Sequence, residues 1–78
     1  MGMTCKNFVI TEITDVNKLA NLCSLCGSCV EVRKGRWVVD GSSIMGLMSI
    51  DLSQGATIAY DDDKVTEDFK SFVTSHEV

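Results

Sequence analysis

The 78-residue chain has no proline, no internal repeat and no low-complexity segment, and it is read as one domain over residues 1–78. That length lies near the lower limit for a self-sufficient core. Basic residues are scarce, seven against eleven acidic ones, for a net charge of −4. No run of them could neutralise a row of phosphates, which excludes nucleic acid as a partner and leaves room for a folded partner with a basic surface. No apolar stretch approaches the ~18 residues of a membrane span, so no membrane is expected as a partner. The opening MGMTCKNFVI lacks a cationic segment followed by a long apolar run, and Lys6 stands where a Met-Gly lipidation pattern needs Ser or Thr. The expected location is the cytoplasm.

What is present is a globular composition, 45% hydrophobic and 23% charged. It is enough for one layer of helices on one sheet. Residues 6–13, KNFVITEI, are β-branched and aromatic and read as a strand. Thr14 or Asp15 can cap a helix carrying Val16, Leu19, Ala20, Cys23 and Cys26 at helical spacing, which Gly27 ends. Residues 28–34 alternate, Lys34-Gly35 turns the chain, and RWVVD over 36–40 returns, giving a hairpin. A short helix follows Ser43, ATIAY over 56–60 forms a last strand, and Thr66 caps a final helix whose buried stripe is Phe69, Phe72 and Val73. The order βαββαβα with a tight hairpin predicts an α+β open-faced β-sandwich: a mainly antiparallel four-stranded sheet with helices on one face.

Two stretches hold more than a fold requires. DGSSIMGLMSIDLSQG, residues 40–55, places six large apolar residues on a short helix. At ~100° per residue, Leu47 and Ile50 point one way while Ile44, Met45, Met48 and Leu52 occupy a second arc that one sheet cannot also cover. CSLCGSC, residues 23–29, has a C-x-x-C-x-x-C spacing through which Cys23, Cys26 and Cys29 could hold zinc or part of an iron–sulfur cluster. Thiol redox chemistry is a further alternative. The plainer reading makes Cys23 and Cys26 small hydrophobes on the first helix's apolar stripe.

The run GRWVVDGSSIMGLMSIDLSQGATI resembles the second half of HPr, the histidine-containing phosphocarrier family of the bacterial sugar phosphotransferase system. The resemblance rests on SSIMGLMS, a short gap and a glycine before a strand, and on the matching order of elements. It implies protein partners of the phosphotransferase system, no cofactor and no enzymatic activity. It also implies a partner-binding patch at Ile44, Met45 and Met48, with Leu47 and Ile50 in the core. Ser43 matches a serine that a dedicated kinase phosphorylates in many relatives, and a phosphate there would alter the patch without melting the helix. The family carries its phosphoryl group on a histidine within G-[LI]-H-x-R-P at the start of the first helix. ITDVNKLANL, residues 13–22, has no His, Arg or Pro, and Asp15 or Asn17 stands about where the acceptor belongs. The sole histidine, His76, is near the C-terminus. The expectation is a short, regulatory or degenerate relative that acts by docking.

Overall fold

The computed structural model describes residues 3–26 and 30–78. Strand β1 spans Met3–Phe8, earlier than the residues 6–13 expected from composition. Pairing explains the shift. β1 lies antiparallel to the last strand, from Met3 opposite Asp61 to Phe8 opposite Ala56, and the ladder stops where its partner begins. Past Phe8 the chain turns under the sheet, with Ile10 buried and its N–H donating to the Leu52 carbonyl at 3.1 Å. Helix α1 (Ile13–Leu25) therefore starts sooner than expected. Thr14 and Asp15 lie inside its first turn instead of capping it, and Glu12, at the cap position, makes no side-chain capping bond. Leu19, Ala20 and Cys23 form its buried stripe. The expected helix end at Gly27 and the start of the next strand at residues 28–29, Cys29 included, lie outside the described residues.

The expected hairpin forms with its turn one residue later than Lys34-Gly35: β2 (Val30–Lys34) and β3 (Trp37–Asp40) join through Gly35-Arg36, so Lys34 belongs to the first strand and Arg36 to the turn. Gly35 adopts a φ of +60°, the left-handed conformation that a two-residue loop with glycine first requires. With β4 (Ala56–Asp61), the strands form one antiparallel sheet in the order β1-β4-β2-β3. Phe8, Val30, Val32, Ile58 and Tyr60 bury one face of it beneath the helices. The other face carries Asn7, Thr57, Arg33 and Glu31, the last two ion-paired at 2.8 Å.

Helix α3 (Glu67–His76) begins at Thr66, whose Oγ1 accepts from the Phe69 N–H at 3.1 Å, and it buries Phe69, Phe72 and Val73 as expected. Phe69 meets Tyr60 edge to face at 5.0 Å.

The short helix α2 spans only Ile44–Met48, which corrects the two-arc reading. Ser49 closes the helix, and its hydroxyl donates to the Gly46 carbonyl at 2.6 Å. Asp51 then caps a single 3₁₀ turn over Leu52–Gln54, accepting from the Ser53 N–H at 3.0 Å. Helical angles cannot be carried past Met48. The change of direction swings Leu52 into the core and leaves Ile50 half-buried. Leu47 alone among the α2 residues is fully buried, at 1% exposure.

Candidate functional site

Serine at position 43 sets where α2 begins. Its backbone is extended, and its Oγ accepts from the Gly46 N–H at 3.1 Å, satisfying one of the helix's orphan donors. The Ser43 N–H donates to the Asp40 carbonyl at 3.0 Å. The Asp40 carboxylate in turn accepts from the Ser42 N–H at 2.9 Å and the Ser42 hydroxyl at 2.8 Å. These bonds, the backbone one first, hold the Asp40 carboxyl below the ordinary aspartate range. Gly46 lets α2 approach β3: a Cβ there would lie 3.2 Å from both Val39 Cβ and Ser43 Oγ.

This anchoring turns Met45 and Met48 outward, 82% and 55% exposed. Ile44 is half-buried against the core, so it forms a shoulder of the patch. Beside Met48 an open groove of about 270 Å³ runs between the start of α1 and the end of α2, with Ile13, Val16 and Ile50 among its lining. Ile13 is 58% exposed and extends the apolar surface onto α1. Sequence reasoning missed it, because a strand ending at residue 13 gave no reason to place Ile13 beside Met48.

The positions expected for a phosphoryl acceptor lie on α1. Asn17 is exposed, and Asp15 sits half-buried in the first turn. The fold brings His76 to Asp15 across 61 positions of chain, with His76 Nε2 3.3 Å from Asp15 Oδ2. Nδ1 of His76 lies 2.9 Å from the Phe72 carbonyl, which can only accept, so the proton sits on Nδ1. A bond to Asp15 then requires a second proton on Nε2. The imidazole stacks on Phe72 at 4.3 Å. Beyond it the chain end is tied to β1: the Val9 N–H donates to the His76 carbonyl and the Val78 N–H to the Asn7 carbonyl, both at 3.0 Å, and Lys6 pairs with Glu77 at 3.3 Å. Lys18 lies over the Phe72 ring, 6.0 Å from its centroid. The sequence carried no signal for the His76–Asp15 pair, since only the tertiary fold joins the two segments.

Of the cysteines, Cys23 is fully buried and Cys26 half-buried at the end of α1, while Cys29 lies outside the described residues. Among the described residues no group of three or more His, Cys, Asp or Glu is placed to hold a metal ion. No helix among the described residues is long and apolar enough to cross a membrane.

An antiparallel open-faced sandwich, with a helix-capping serine and exposed methionines on its second helix, defines the class of small α+β domain to which this chain belongs. The family model described as the PTS HPr component phosphorylation site matches residues 11–72. The chain belongs to the HPr family, whose members are phosphocarriers. It is similar to the crystal structure of HPr-C-His from Thermoanaerobacter tengcongensis, at 25% identity and a TM-score of 0.66, over 96% of this chain and 89% of that one. No curated protein matches it.

Proposed function

We propose that this chain, acting as a single cytoplasmic HPr-like domain, is a regulatory or degenerate member of the family. In this reading it works by docking other proteins and is neither a phosphoryl carrier nor an enzyme. The observation that carries the reading is the pair at the start of α1. A carboxylate, Asp15, occupies that turn, and the sole imidazole points its Nε2 at the carboxylate from 3.3 Å away. Nδ1 is engaged with a backbone carbonyl. A phosphoryl group arriving at Nε2 would meet a negative charge. Asp15 and Asn17 supply no imidazole of their own.

The docking surface is Met45 and Met48 with Ile44 at its shoulder. Flexible, polarizable methionines suit a surface that must adapt to a partner, and Ile13 enlarges it. Phosphorylation of Ser43 by a serine kinase would set a double negative charge at the edge of this patch, close to Asp40, and so change partner affinity.

The test is capture of a partner by wild type beside Met48→Asp. Both should show the same thermal midpoint, because the side chain is half in solvent. Only wild type should retain the partner. Equal retention by the two proteins would remove α2 from the interaction.

A further inference from the structure

The sheet has two edges, β1 and β3. The chain end lies along β1, where Glu77 bridges Phe8 and Val78 bonds Asn7. Among the described residues no strand pairs with the outer edge of β3, and only the turn into α2 reaches it, where the Ser43 N–H donates to the Asp40 carbonyl. Folded proteins usually blunt such an edge with charge, proline or a bulge. β3 has none of these in its middle: Trp37 and Val38 are adjacent, on opposite faces, and 65% and 57% exposed.

Hydrogen-bond parity shows what the edge offers. Across β2 and β3, Lys34 faces Trp37 around the two-residue turn, Val32 faces Val39, and the Gly41 N–H donates to the Val30 carbonyl at 3.1 Å. Trp37, Val39 and Gly41 therefore spend their backbone groups inward on β2. The alternate residues, Val38 and Asp40, turn theirs to the open edge. The Asp40 carbonyl is taken by the Ser43 N–H, while the Val38 N–H and C=O remain as a matched donor and acceptor.

The charges at the two ends of the segment are opposite. Arg36 precedes β3 and Asp40 ends it, each two residues from Val38. Arg36 has no carboxylate partner among the described residues. Asp40 engages Ser42 through Oδ1 only.

We propose that β3 pairs antiparallel with β3 of a second copy of this chain, in the register that sets Val38 opposite Val38. That register exchanges both Val38 backbone bonds between the copies. It also brings Arg36 of each copy opposite Asp40 of the other, and Trp37 opposite Val39 on the helix-bearing face. A slip of one residue would turn inward-facing backbone groups to the interface and break both charge pairs, so parity and charge select the same alignment. The result is a continuous eight-stranded sheet with two-fold symmetry. A four-residue edge is small beside the ~1,200–2,000 Å² of stable complexes, so the dimer is a weak one that forms only at high protein concentration.

Sedimentation equilibrium and backbone amide NMR, run from ~10 μM to ~2 mM, cover the range in which a weak dimer forms. Wild type should move from 8.5 kDa toward twice that mass, with amide shifts concentrated on residues 36–40. Arg36→Glu and Asp40→Arg should each abolish self-association by placing like charges opposite one another. Their equimolar mixture should restore it, because both facing pairs are then complementary. Val38→Pro should abolish association while the fold persists, since an outward N–H on an edge strand is dispensable to the monomer. If Asp40→Arg fails to fold, Arg36→Glu and Val38→Pro decide the matter. A wild type that stays monomeric throughout would overturn the proposal. So would association that survives Val38→Pro, shifts centred on Met45 and Met48, or a mixture of folded variants that fails to associate.

Discussion

Gly41→Ala is the most sharply defined perturbation of this fold. Gly41 follows β3 at the turn into α2. A Cβ built there lies 2.7 Å from Val30 Cγ1, 2.9 Å from Cys23 Sγ and 3.2 Å from Val30 Cβ. Both neighbours are buried, so neither can swing into solvent. One added methyl in a packed core costs about 1–3 kcal/mol. Its backbone conformation is one that L-residues adopt, so alanine also restricts the unfolded chain, a gain of about 0.4–1 kcal/mol. The difference is a loss of about 1–2 kcal/mol, which for a domain of this size lowers Tm by roughly 4–15 °C. Calorimetry or circular dichroism melts read it directly. Val30→Ala removes the nearest methyl, so the double variant should be less destabilised than the sum of the single ones, the signature of contacting residues. An unchanged or raised Tm for Gly41→Ala would refute the close approach of α1, β2 and this turn.

Leu47→Ala should cost about 2–5 kcal/mol, as deletion from a packed core does. Met48→Ala, next to it but mostly in solvent, should cost under ~1 kcal/mol while weakening partner binding; denaturant titration reads the stability of both variants and partner capture reads their docking. The carboxyls of Asp40 and Asp51 are both held below the ordinary aspartate range by bonds from the serine two residues on. A depressed carboxyl stabilises the fold above its unfolded value of about 4 and loses that contribution as pH falls through the folded value. The stability gap between wild type and Asp40→Ala should therefore be constant from pH 5 to 7 and narrow below pH 4, as followed by urea unfolding at each pH.

The sequence made the architecture legible because its punctuation is strong. Gly35 and Gly55 mark turns, Thr66 and Ser43 cap helices, and the strands alternate. Boundaries were less legible where partners decide them. β1 lies where β4 can pair with it, which pulled the start of α1 forward and placed Asp15 inside the helix. The helical-angle argument for residues 44–52 failed at its end for a related reason. It assumed one helix, while the Asp51-capped turn redirects Leu52 into the core. On α2, the exposure of Met45 and Met48 was readable from surplus apolarity within one segment. Ile13 and the His76–Asp15 pair were not, because each depends on two segments meeting across the fold.

The claim that this family member docks without carrying phosphate is tested most directly by phosphotransfer itself. The protein is incubated with phosphoenolpyruvate and the general phosphotransferase enzyme, enzyme I, and analysed by intact mass and by acid-labile label. The account predicts no added phosphoryl group on Asp15, Asn17 or His76, under conditions in which a histidine-bearing HPr is fully labelled. Stoichiometric acid-labile phosphate on His76, lost in His76→Ala, would contradict it and make the C-terminal imidazole a working acceptor.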